Sequence, residues 1–199
     1  MSVVALVGNP REGSRTRTVA VEAAEAVARR LGLPGAQDVI DLSALGPHLL
    51  APGPAPGVEV ALELVAEARV LVVASPTYKG TYTGLLKAFL DRLRPEALAG
   101  VVALPLLVMG DPKHALAVEV HLRPLLVELG ATVPTPGLAV LESQLAVRES
   151  PLSPLSALES RPPALESRLP ALEELLDRWA ERVAPQVAAA LAVGHPATA

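Results

Sequence analysis

Cysteine is absent from the 199 residues. Disulfides, iron–sulfur clusters, thiol nucleophiles and cysteine-based zinc sites are thereby excluded, and redox compartment cannot be read from thiol usage. Aromatic residues are scarce, at 2%. Few rings are left for stacking on bases, which argues against a single-strand nucleic-acid binder. The net charge is −4 and no basic stripe is present, so the electrostatic footprint of a DNA-binding surface is missing. No apolar run approaches the ~18 residues of a membrane span. The N-terminus opens directly on a strand-like run, without a basic segment and cleavage site, so a cytoplasmic protein is expected. The four histidines, His48, His114, His121 and His195, form no ligand-like grouping, so no metal is expected. His114 and His121 are read as sharing one helix face.

What remains is aliphatic: hydrophobics make up 51%, nearly all Ala, Val and Leu. Five short, largely apolar runs stand out, at Ser2–Val7, Val39–Leu42, Val70–Ala74, Val101–Met109 and Gly137–Leu141. They lack period-2 alternation, as strands buried on both faces do. Pro105 is a mild objection to the fourth. Between them lie helical stretches. Ser14 caps one that runs to about Leu31 and closes at Gly32. A second covers Val58–Ala68. A third is capped by Thr83 and turns Leu85, Leu86, Phe89, Leu90 and Leu93 to one face, and Arg94-Pro95 ends it. A fourth runs from Lys113 to Leu129, where Pro124 should bend or split it. The Pro/Gly-rich Ser43–Gly57 reads as a surface loop.

Strands alternating with helices imply right-handed crossovers and an α/β three-layer sandwich. A dinucleotide-binding variant should carry G-x-G-x-x-G after the first strand. Gly8-Asn9-Pro10-Arg11-Glu12-Gly13 lacks that spacing. The flavodoxin-like arrangement fits better: a five-stranded parallel sheet of order 2-1-3-4-5, with its ligand at the switch between strands 1 and 3. Ser150–Pro170 is Pro/Ser-rich with a loose A-L-E-S echo, read as a linker, and Leu172–Val193 as a last helix that Trp179 anchors and Pro185 kinks.

Two loops carry chemistry. Asn9, Arg11, Ser14, Arg15 and Thr16 cluster where a strand hands over to a helix, and a helix N-terminus with guanidiniums and hydroxyls suits a phosphate. The same residues also describe an ordinary capped helix with solvated arginines. Ser75–Thr83 packs six hydroxyl-bearing residues into nine positions, a loop rich in donors. No G-x-S-x-G elbow exists, so a hydrolase is not indicated.

G-N-P-R-E-G-S-R-T followed by S-P-T-Y-K-G-T-Y-T-G-L-L-K resembles the NADPH-dependent FMN reductases, flavodoxin-like flavoproteins in which G-S-x-R-x-x-S-x-[NST] holds the FMN phosphate and S-P-x-Y-x-[GA]-x-x-[ST]-G-x-L-K lies along the ring. The nearest branch is that of two-component alkanesulfonate and sulfonate systems, and the similarity extends over roughly residues 2 to 142. The resemblance implies that Arg11, Ser14 and Thr16 hold the phosphate, with Asn9 where serine is usual. It implies that Pro76, Thr77, Tyr78 and Gly80 line the flavin edge and that Gly110 lies beside the ring. Tyr78 covers the ring or lines the nicotinamide site on this reading, or else packs on the neighbouring helix. Lys79 meets NADPH phosphates or is simply solvated. Lys87 and Asp91 can pair across one helical turn.

Two departures from the family pattern stand out. The usual T-G-G-T after strand 4 is V-M-G-D here, which sets Asp111 near the ring, where a carboxylate would oppose the anionic reduced flavin and lower its potential. Val120 stands where sulfonate-branch members carry a tyrosine associated with passing flavin on as a substrate. That change points to retained FMN and another acceptor.

The expected activity is therefore hydride transfer from nicotinamide C4 of NADPH or NADH to FMN N5. It would serve to supply reduced flavin, to a flavin-dependent monooxygenase for example, or to pass electrons to a quinone, azo or other acceptor. The alternative is a flavodoxin-like electron carrier that does not oxidise nicotinamide. Residues 1–149 are expected to form the FMN-binding domain, with 150–199 an arm and a helix of the same domain. The family's usual state implies a homodimer or homotetramer.

Overall fold

A computed structural model of the chain describes residues 2–35, 38–148 and 172–193. Five strands, β1 (Val3–Val7), β2 (Asp38–Asp41), β3 (Val70–Pro76), β4 (Val102–Met109) and β5 (Leu138–Leu141), form one sheet. Every pairing is parallel and the order is 2-1-3-4-5, as expected. Alternate residues of the central strands feed two separate cores. Val3, Ala5, Val7, Val70, Val72 and Ala74 pack under α1 (Arg15–Leu31), while Val4, Leu6, Leu71 and Val73 pack on the opposite face. Both faces are covered, which is why the strands read as unbroken apolar runs.

The opposite face is covered by α2 (Gly46–Leu49), α3 (Pro56–Ala66), α4 (Gly84–Leu90) and α5 (Arg123–Glu128). The expected loop at Ser43–Gly57 thus holds a short helix, and α3 starts two residues early because Pro56 supplies a ready first turn. A last helix, α6 (Leu172–Val193), continues through Pro185 and lays Leu176, Trp179, Val183 and Val187 against α1 and the first core. The Ser150–Pro170 segment and His195 lie outside the described residues. Among the described residues no helix is long and apolar enough to cross a membrane.

Pro105 sits inside β4 without harm. Odd-numbered β4 residues turn their amide toward β5, as the Ala103 amide does in donating to the Thr132 carbonyl. Pro105 falls between that bridge and the start of β5 opposite Leu106, where no neighbouring strand asks for a donor.

The helix expected at Lys113–Leu129 is broken. A 3-10 turn at Pro112–His114 leads to a π-helical turn at Val118–Leu122, and only then to α5. Pro124 has no amide for the Val120 carbonyl, so the chain widens, and the Arg123 amide reaches five residues back to the Val118 carbonyl. His114 and His121 consequently share no regular helix face.

One polar cluster ties this segment to the lead-in of β5. The Glu119 carboxylate accepts from the Arg123 guanidinium and from the Gly137 amide, and Arg123 also donates to the Val133 carbonyl at 2.8 Å and to that of Thr135. The hydrogen-bonded Arg123 guanidinium, helped by the Gly137 amide, holds the Glu119 carboxyl below its ordinary value against the opposing effect of burial. A depressed carboxylate stabilises the fold above its ordinary titration range and loses that contribution as pH falls below it. Glu119→Gln is therefore expected to lower the melting temperature near neutrality by about 2–4 °C, for a loss of about 1 kcal/mol, and to flatten its fall in acid. Thermal melts across the acid range check both.

Candidate functional site

The turns leaving β1, β3 and β4 meet at the carboxyl end of the sheet, where an open α/β fold holds its ligands. Gly8, the first residue beyond β1, donates its amide to the Ala74 carbonyl at 2.7 Å. Its carbonyl accepts the Thr83 hydroxyl at 2.6 Å. Thr83 also caps α4, accepting the Leu86 amide at 3.1 Å, and its own amide donates to Ser75 Oγ at 3.0 Å. Ser75 donates in turn to the Pro76 carbonyl at 2.9 Å. A Cβ on Gly8 would lie 2.6 Å from Leu86 Cβ, so only glycine lets the first turn come this close to α4.

In the turn after β1, Asn9 and Thr16 are buried and face each other, Asn9 Nδ2 donating to Thr16 Oγ1 at 3.0 Å. Asn9 Oδ1 accepts the Arg11 amide at 2.9 Å. These two residues shape the loop from within. Gly13 takes a left-handed φ of 61° and hands over to Ser14, whose hydroxyl accepts the Arg17 amide at 3.3 Å. The first turn of α1 carries no acidic residue, so its positive end faces the loop uncompensated. Of the three arginines, Arg17 leans on Asp41 at 3.7 Å, and Arg15 reaches Glu142, just past β5, at 3.1 Å. Arg11 is exposed and makes no ion pair among the described residues.

The turn after β3 prolongs the sheet and then folds back. The Thr77 amide donates to the Val108 carbonyl at 2.8 Å, and Tyr78 and Thr81 pair through their backbones around Lys79 and Gly80. With φ of 54° and 84° those two residues form a type I′ hairpin turn. Tyr78 and Lys79 are exposed at its tip. Thr77 Oγ1 is buried and without a hydrogen-bond partner among the described residues. Lys87 and Asp91 pair, on α4 and at its cap.

After β4, Gly110 is exposed and Asp111 is spoken for. Its carboxylate caps the Lys113 amide at 2.9 Å and pairs with the Lys113 ammonium at 2.7 Å, and those hydrogen bonds hold it below its ordinary value. Val120 is exposed on the π-helical turn. Among the described residues no group of three His, Asp or Glu side chains is placed to hold a metal ion.

All twelve residues singled out as cofactor-binding thus lie on the three adjacent turns or at the ends of the elements that flank them, Arg15 and Thr16 at the start of α1 and Pro76 at the end of β3. Sequence reasoning did not single out Gly8, Ser75 or Glu142, and it saw Thr83 only as a cap. Gly8 directly after an apolar run was a usable signal. Glu142 had none, since 127 residues of chain separate it from Arg15.

An anion-ready helix end and a donor-rich hairpin with an orphaned hydroxyl fit a ligand bearing a phosphate at one end and a flat, polar-edged ring at the other. Comparisons with known proteins point the same way. Residues 1–145 match the family model of the NADPH-dependent FMN reductases. The chain is similar to an FMN reductase (NADPH) of Escherichia coli strain K12, with 36% identity over 146 residues, 72% of this chain and 75% of that protein. It is also similar to an NADH-dependent FMN reductase, SfnE, of Pseudomonas putida, with 33% identity over 137 residues, 67% of this chain and 74% of the relative. Among solved structures, the apo form of an NADH:FMN oxidoreductase, EMOB, superposes with a TM-score of 0.70 at 33% identity, covering 91% of this chain and 89% of the other. An archaeal flavodoxin, at 14% identity and a TM-score of 0.55 over 94% of this chain and 99% of its own, shares the fold alone.

Proposed function

The chain belongs to the NADPH-dependent FMN reductase family, and from that premise we propose that the turn after β1 holds the FMN phosphate while the turns after β3 and β4 line its ring. The protein is an oxidoreductase, an NAD(P)H-dependent FMN reductase. When bound at this site, FMN would supply the redox chemistry, that of accepting a hydride from NADPH or NADH.

The residues of this chain bind and orient. Arg11 and Ser14 at the positive end of α1 offer charge-assisted donors to the phosphate. Arg15, drawn aside by Glu142, borders the same opening. Asn9 and Thr16 keep the loop in shape. Pro76 and Gly80 set the course of the hairpin, Thr77 offers its hydroxyl to the ring edge, and Tyr78 stands where it covers the ring or the nicotinamide. Lys79 at the tip suits the phosphates of the nicotinamide. Gly110 leaves room beside the ring, and Asp111, neutralised in part by Lys113, acts on the flavin less than a free carboxylate would. The observation that carries this placement is the 2.6 Å bond from Thr83 to the Gly8 carbonyl, which makes the two loops one cradle.

Purified protein mixed with FMN and either NADPH or NADH is expected to consume the nicotinamide absorbance band in an FMN-dependent manner. No consumption with either nucleotide overturns the reductase reading in favour of an electron carrier. Val120 in place of a tyrosine supports an FMN that stays bound and serves a quinone or other acceptor. A colourless preparation that binds FMN only weakly favours release of reduced flavin to a monooxygenase instead. Leu116, Val120 and Val127, all exposed along one segment, support self-association into a homodimer or homotetramer. Dependence on the nicotinamide pool supports a cytoplasmic setting.

A further inference from the structure

We infer that Thr83 is a positioning residue for FMN: through Gly8 and Ser75 it sets the separation of the phosphate loop from the ring loop. The inference rests on the placement of FMN across those two loops. Thr83 is only 3% exposed, and its hydroxyl both donates to the Gly8 carbonyl and accepts the Leu86 amide. Its amide is bound by Ser75 at the end of β3. One residue therefore joins three things: the last carbonyl before the phosphate loop, the strand end from which the ring loop springs, and the first turn of α4. Among the described residues no other hydrogen bond links the Gly8 carbonyl to the β3–α4 turn. Valine has the shape of threonine but neither donates nor accepts, so Thr83→Val leaves the buried Gly8 carbonyl and the Leu86 amide unpaired and frees the two loops to drift apart.

A ligand that grips two sites at once gains only while their spacing matches its own length. FMN needs both loops; riboflavin, which lacks the phosphate, needs only the ring loop. Loss of the tie should therefore erode the preference for FMN over riboflavin. A merely structural weakening would lower thermal stability and leave that preference alone.

The test is titration of the wild type, Thr83→Val, Thr83→Ser and Ser75→Ala with FMN and with riboflavin, followed by quenching of flavin fluorescence. Thr83→Val is expected to weaken FMN about tenfold while riboflavin changes less than about twofold, and Thr83→Ser to restore the wild-type preference. Should Thr83→Val fail to fold, Ser75→Ala leaves the cap of α4 intact and reads the same ratio. A wild-type preference retained in the variants that fold overturns the role given to Thr83. A wild type that binds both flavins equally overturns instead the phosphate-loop placement beneath it.

Discussion

Gly8→Ala is expected to destabilise the protein by about 2–3 kcal/mol, to lower its melting temperature by about 4–12 °C, and to cost most of its affinity for FMN. The added methyl would lie 2.6 Å from Leu86 Cβ and 3.2 Å from Leu86 Cγ. Leu86 is fully buried on α4, and its Cβ is fixed by the helix backbone, so no change of rotamer relieves the contact. Truncating Leu86 to alanine does not help either, because the atom struck is one alanine keeps. The backbone must move, and it carries the Gly8 carbonyl that accepts the Thr83 hydroxyl. Calorimetry and flavin titration of the variant check the two effects. An unchanged melting temperature would mean that β1 and α4 are not held as closely as described.

Ser14→Asp separates two roles that the wild-type residue combines. Ser14 accepts the Arg17 amide as the cap of α1, and aspartate caps as well while complementing the positive helix end. Stability should therefore hold or rise slightly. On the proposed placement of FMN, however, the new carboxylate would face the phosphate at about 4–6 Å. At intermediate dielectric that repulsion costs about 2–3 kcal/mol, a weakening of FMN on the order of 100-fold, and it should lessen as salt is raised. Riboflavin should be nearly indifferent. If FMN binds Ser14→Asp as well as it binds the parent, Ser14 caps a helix and does nothing more.

Much of this was legible along the chain because its causes are local. Val70–Ala74 read as a strand because a strand with helices on both sides needs no polar face, and Ser14, Gly32 and Thr83 marked helix ends through their own side chains or backbone freedom. The break at Val118–Leu122 was half legible: Pro124 announced trouble, but whether the chain would kink, split or widen depended on the Glu119–Arg123 cluster and the turn it grips. Two loop motifs, those after β1 and β3, could be recognised by residue type and spacing, whereas the turn after β4 was placed only through the family resemblance. What the side chains do within these turns could not be read, since Asn9 proved to be turned inward on Thr16 and Asp111 to be engaged by Lys113.

The alternation of apolar runs with helices, the caps and the donor-rich turns were thus determined by the sequence alone, because each follows from neighbours within a few residues. The tertiary structure alone decided that Gly8 meets Leu86, that Thr83 reaches back to the end of β1, and that Arg15 finds Glu142. These partners are far apart in sequence, and only the 2-1-3-4-5 order of parallel strands gathers their loops at one end of the sheet. Contact between such groups is a property of the packing and not of any stretch of chain.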